Sequence, residues 1–178
     1  MYSETLKLVA HLPQRRPAAS LPMRLEQLFR HLAVGAHAVP ELEDEIWHLW
    51  MQHPHRAASL ALDRAADDIA GQRFDLAETR LHYLLRACPD YPEAWNKSAT
   101  LYYLMERDEE SVQAIHRTLE LEPRHFGALS ALGEICMGQR DRDAALLAFT
   151  TALRINPHLD SARASVEQLL GDGTGSVH

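Results

Sequence analysis

Eleven histidines and two cysteines are the residues of this 178-residue chain with the most evident chemical potential. His48, His53 and His55 lie close together, one or two turns after Glu41, Glu43, Asp44 and Glu45, and these residue types ligate zinc or nickel. Such a site needs three or four ligands converging at ~2 Å. His53-Pro54-His55 is instead a helix stop, from which side chains diverge into solvent. No metal or other cofactor is expected, and a His-based metal-responsive regulator stands only as a third reading of function. The remaining histidines are scattered over helix faces without the i, i+4 pairing of HExxH. Cys88 and Cys136 fall in separate helical runs with no metal-ligand spacing, which predicts buried free thiols in a reducing compartment. No nucleophile elbow, Gly-rich nucleotide loop or Ser/His/acid set in strand context occurs. Gly171-Asp172-Gly173 has neither a strand before it nor a helix after it, so it is not a phosphate loop. The carboxylates Asp67-Asp68 and Asp108 to Glu110 read as solvated helix faces. The chain is not expected to be an enzyme.

The charge is unevenly placed. Five Lys/Arg against two Asp/Glu occupy residues 1–40, and thirteen against twenty-three occupy the rest, for a net charge of -7. An acidic body lacks the clustered Lys/Arg that nucleic acid or anionic lipid requires, so neither is an expected partner. The apolar run at the start is short and broken by Lys7 and His11. That is neither a secretory signal nor a membrane span, and the cytoplasm is the expected location.

The elements that must position any site are helices. Residues 1–20, punctuated by Pro13 and Pro17, read as a basic arm that becomes partly ordered on the body. Ser20 and Pro22 then open a helix with Leu25, Leu28, Phe29 and Leu32 in one stripe, closed by Gly35. Pro40 starts a second helix, striped by Leu42, Ile46, Leu49 and Trp50, which Pro54 stops. This pair, residues 21–57, is expected to cap the amino-terminal end of a helical stack. Trp47 and Trp50 lie three apart on one helix, so one can enter the core while the other covers the next unit. Beyond it Pro89, Pro123 and Pro157 recur at a spacing of thirty-four residues, each closing two helix-period runs. Three copies result, over 58–91, 92–125 and 126–159, succeeded by a capping helix over 160–170 and a mobile tail over 171–178. The prediction is an all-α chain of about nine helices without a strand.

In the middle copy Trp95, Ala99 and Tyr102 fall in the first half and Ile115, Thr118, Leu119 and Pro123 in the second, offsets that resemble the tetratricopeptide repeat (TPR). The third copy matches through Leu132-Gly133, Ala145, Phe149, Ala152 and Pro157, the first mainly through Ala77, Leu81, Leu84 and Pro89. Ser98, Glu106, Ser111 and Thr118 depart from the usual Leu, Gly and Ala. The stretches EDEIWHLW and EAWNKSATLYYLMERDEESVQAIHRTLELEPRHFGALSALG are similar to small proteobacterial TPR proteins of unassigned role. The resemblance implies a right-handed helical-repeat solenoid whose first helices line a concave groove. At the groove positions of that repeat stand Leu62 and Ala66; Glu93, Asn96, Thr100 and Tyr103; and Ser130, Glu134 and Met137.

What the resemblance implies is a protein-protein interaction module, an adaptor or assembly scaffold holding a peptide or helix in the groove. Asn96 is suited to a peptide backbone, Tyr103 and Met137 to adaptable apolar contact. Capture of a carboxylate tail is not expected. The positions where that subclass uses Lys, Arg and Asn hold Leu62, Ala66, Thr100 and Gly127, which leaves Asn96 and Lys97. The alternative is a self-associating structural protein, a homo-oligomer formed through the amino-terminal helices or the arm.

Overall fold

The computed structural model describes residues 2–35 and 39–172, and among them every regular element is helical. The repeats run as α4 (Arg56–Ala70) and α5 (Phe74–Ala87), α6 (Pro92–Leu104) and α7 (Asp108–Leu121), α8 (Phe126–Gly138) and α9 (Arg142–Ile155), with α10 (Asp160–Asp172) laid on α9. They are preceded by α1 (Tyr2–His11), a 3-10 turn (Leu12–Gln14), α2 (Arg24–Ala33) and α3 (Val39–Trp50). Gly171 and Asp172, expected in a mobile tail, close α10, and residues 173–178 lie outside the described residues.

Each repeat turns between its two helices in the same way. Gln72, Glu106 and Arg140, again thirty-four apart, carry φ of 57°, 58° and 61°. The next N–H reaches back to Asp68, Tyr102 and Cys136 carbonyls at 2.8, 2.8 and 2.9 Å. This is the Schellman closure of a helix, which satisfies carbonyls the helix end leaves without a partner. Three non-glycine residues accept the left-handed conformation to make it.

Helix crossings inside the repeats need small residues. A Cβ on Gly133 would lie 2.5 Å from the Phe149 ring, so the approach of α8 to α9 depends on its absence. In the middle repeat Ala99 and Ser111 take the crossing, and the Ser111 hydroxyl donates to the Ala99 carbonyl at 2.9 Å. The departure from alanine at Ser111 is thereby satisfied.

Two amino-terminal expectations are corrected. Residues 2–14, expected as part of a partly ordered arm, are a helix and a 3-10 turn. Thr5, Leu8, Val9 and Leu12 are buried on one face, at the i, i+3, i+4, i+7 spacing. This helix lies in the cleft between α7 and α9, where it joins the core that includes Val112, Ile115, Leu129, Leu132 and Ala148. Tyr2 Oη lies 3.1 Å from Cys136 Sγ and 3.2 Å from Asp141 Oδ2, and Thr5 Oγ1 lies 3.2 Å from His116 Nδ1. The arm supplied the tenth α-helix of the described residues; its apolar run is short because half a turn of each period faces solvent.

The pair α2–α3 is likewise not a cap on the first repeat. It packs through Leu25, Leu28, Phe29, Ile46 and Trp50 onto Phe126, Ile155 and Leu159, at the turns entering α8 and α10. Polar pairs flank this seat: Arg124 Nη1 donates to Glu26 at 2.8 Å and Asn156 Nδ2 to Glu43 at 2.5 Å. The aromatic area of Phe29, Trp47 and Trp50 finds apolar cover there, on Phe126, Ile155 and Leu159.

Candidate peptide groove

The first helices of the three repeats present equivalent positions side by side. Thr100, Tyr103 and Leu104 of α6 stand thirty-four residues before Glu134, Met137 and Gly138 of α8 and thirty-four after Ala66, Ile69 and Ala70 of α4. On α6 they form one solvent-facing stripe, with Tyr103 46% and Leu104 49% exposed. On α8 Glu134 is exposed and Met137 half-buried, with Ser130 half-buried a turn before; on α4 Ala66 is half-buried and Ala70 exposed. A strip three helices wide is therefore open, with Ala66, Tyr103, Leu104 and Met137 as apolar members and Thr100, Ser130 and Glu134 as polar ones.

The other end of the same helices is closed. Glu93, with no exposed surface, faces His125 Nε2 at 2.9 Å and Lys97 Nζ at 3.1 Å, and Asn96 Nδ2 lies 3.3 Å from both of its oxygens. His125 Nδ1 accepts the Ala128 N–H at 3.1 Å, capping α8, so the proton on this ring sits on Nε2 and is donated to Glu93. Burial pushes the Glu93 carboxyl upward, but the hydrogen bond from His125 and the charge of Lys97 outweigh it, and the group is held below its ordinary value. Trp50 stacks on His125 with ring centres 4.0 Å apart and planes 12° apart. Trp47 lies edge-on to His125 and over Gly127, where a Cβ would come within 2.5 Å of its ring. Lys97 Nζ sits 5.9 Å from the centre of that ring.

Three of the expected groove residues are thus withdrawn from contact. Leu62 is fully buried between α4 and its neighbours, Glu93 is bound to His125 and Lys97, and Asn96, 6% exposed, spends its amide on Glu93 rather than on a ligand backbone. Leu62 is buried by its own repeat and α6, whereas for Glu93 and Asn96 the cause is α3, whose tryptophans pack on His125, Gly127 and Lys97 at the amino-terminal ends of α6 and α8. Ala66, Thr100, Tyr103, Ser130, Glu134 and Met137 remain at least partly open. His125 escaped the sequence reading; its signal is a residue able to cap a helix just before Phe126, with Gly127 leaving room for a ring.

The residues that could serve other chemistry are engaged elsewhere or apart. His48 pairs with Gln52 at 2.6 Å, and the His53 ring lies 4.8 Å from Tyr91. Among the described residues no group of three or more His, Cys, Asp or Glu side chains is arranged to hold a metal ion. Cys88 and Cys136 are buried and unlinked, and burial pushes both thiols up. Trp47 and Trp50 of the amino-terminal helices pack within the chain, as do Leu8, Val9 and Leu12 of the arm. No helix among the described residues is long and apolar enough to cross a membrane.

No protein-family model matches the chain. A TPR repeat-containing protein of Rhizobium etli is 31% identical over 158 residues, which span 88% of this chain and 78% of that protein. The chain belongs to the tetratricopeptide-repeat proteins. Among solved structures, the first TPR of Spaghetti (RPAP3), bound to the HSP90 peptide SRMEEVD, superposes on this TPR protein with a TM-score of 0.62. At 14% identity, over 66% of this chain and 94% of that one, the likeness is one of fold.

Proposed function

We propose that this TPR protein is a non-enzymatic adaptor that binds a peptide or helix of another protein along the open strip of its concave face. The observation that carries the reading is the exposure of Tyr103 and Leu104 on α6, with half-buried Met137 at the position of α8 equivalent to Tyr103. A peptide-bound TPR among the similar folds supports the class of ligand. The chemistry of the strip selects against an acidic tail. Lys97, on the same helix as Thr100 and Tyr103, is already paired with Glu93, and Glu134 is the charge the strip itself displays. The ligand is therefore apolar, with a basic residue opposite Glu134.

The reading is tested by selecting binders from a displayed peptide library on the whole chain and re-measuring them on two variants of unchanged melting temperature. The double change Tyr103→Ala, Met137→Ala is expected to weaken capture by about tenfold or more, and Glu134→Lys to shift selection from basic toward acidic sequences. Binders indifferent to both variants would place the ligand elsewhere.

A further inference from the structure

The outer face of the stack has two repeat-equivalent clefts between second helices, and α1 fills one of them. It runs parallel to α7 and α9, with Tyr2 at the Cys136–Asp141 end and Leu12 near Pro123 and Ile155. Its floor is Leu129, Leu132 and Cys136 of α8, and Thr5 meets His116 on the α7 wall. Thirty-four residues earlier the same positions are Trp95, Ser98, Tyr102 and His82. These line a cleft of about 630 Å3 between α5 and the following repeat, with Glu78 and Arg86 at its rim, and no described element of the chain occupies it. Arg117 of α7 lies over the Trp95 ring on the far side, 5.8 Å from its centre.

We infer that this second cleft is a docking site for an amphipathic helix of about three turns from a partner protein, seated as α1 is seated one repeat later, with acidic residues on its outer flank. The seat sets the pattern, because small or apolar residues at i, i+3, i+4 and i+7 reproduce the inward face of Thr5, Leu8, Val9 and Leu12. The rim sets the charge. The occupied cleft receives a segment carrying Lys7, Arg15 and Arg16, beside an α7 whose Glu120 is paired with Arg117; the residue equivalent to Glu120 in the open cleft is Arg86. Arg86 is exposed and makes no ion pair among the described residues, whereas Glu78 is engaged by Arg107 at 2.9 Å. That inversion argues against α1 of a second copy and for an acidic helix. The site is on the face opposite the groove and does not rest on the groove reading.

The test uses two stapled, fluorescent helical peptides of residues 2–14, one native and one with Lys7→Glu, titrated into the full chain. The Lys7→Glu peptide is expected to bind one to one and more tightly than the native one. Thr79→Trp or His82→Trp, exposed on α5 and filling the cleft without touching the core, is expected to weaken it by about tenfold or more. Arg86→Glu is expected to invert the preference between peptides, while Tyr103→Ala leaves both unchanged. The inference is overturned if neither peptide saturates by about 1 mM, or if binding ignores both tryptophan variants. It is also overturned if light scattering finds a dimer of the chain that those variants abolish, since the occupant is then a second copy.

Discussion

Glu93 is a carboxylate with no exposed surface, a state a folded protein tolerates only when partners compensate the lost water. His125, Lys97 and Asn96 do so, and Trp50 closes the site over His125. Because the folded carboxyl is held below its ordinary value of 4.5, ionised Glu93 contributes stability above about pH 4.5, lost as pH falls through the folded value. Thermal melts from pH 7 down to pH 3 are expected to fall less steeply for Glu93→Gln than for the native chain; parallel curves would remove Glu93 from the acid response. Gly133 is the opposite kind of residue, readable from the sequence alone, because the crossing and the aromatic that crowds it are one repeat's own. Gly133→Leu is expected to cost ~1–3 kcal/mol by overpacking against Phe149, read as a lower midpoint in urea. Glu93 and Asn96 were legible as positions on a groove helix but not as buried ones. Their burial is imposed by Trp47 and Trp50, more than forty residues away in sequence, and no local pattern announces that contact.

At the scale of elements, periodicity and punctuation were enough for the repeats. Proline after each second helix and the spacing of apolar residues announce two helices per repeat, the pattern that α4 to α9 follow, since each helix is stabilised mainly by its own repeat's partner. The turns carry a cost that is open to measurement. Glu106 takes φ of 58° where the repeat usually has glycine, and a left-handed non-glycine residue costs roughly 1–2 kcal/mol. Glu106→Gly is therefore expected to raise stability by up to about 1 kcal/mol, after glycine's greater freedom in the unfolded chain is subtracted; an unchanged or lower urea midpoint would count against the Schellman account. The helix α1 was hidden for a physical reason. Ten residues cannot hold a helix in water unaided, so its signal is its fit to a cleft that exists only when α7 and α9 have assembled.

On the scale of the whole molecule, the stack is braced along two sides by its own amino-terminal helices. The helix α1 ties the second and third repeats on the outer face, and α2–α3 bind the turns entering α8 and α10. Among the described residues the first repeat is joined to the rest mainly through α6, with the Arg107–Glu78 pair beside it, and its outer cleft is open. Fold class and repeat register were legible at this scale, whereas the seating of the amino-terminal helices was not, because sequence neighbours need not be neighbours in space. Gly127→Ala is expected to displace the Trp47 ring and loosen α2–α3 while the repeats stay folded, seen as increased tryptophan exposure to quencher at constant helicity. Unaltered quenching would mean that the ring has another place to go.

The bond between Tyr2 and Asp141 spans 139 residues. During synthesis from the amino terminus, α1's site is incomplete until residues 108–155 have been made and folded, so a segment made before the repeats finds its place after them. Repeats can nucleate and propagate locally, and the brace then closes over them. Deleting residues 2–14 should accordingly leave the refolding rate nearly unchanged and accelerate unfolding, since contacts formed after the transition state act on the unfolding step. The amino-terminal helix is a latch on a finished solenoid, and its closure sets how long the native state lasts.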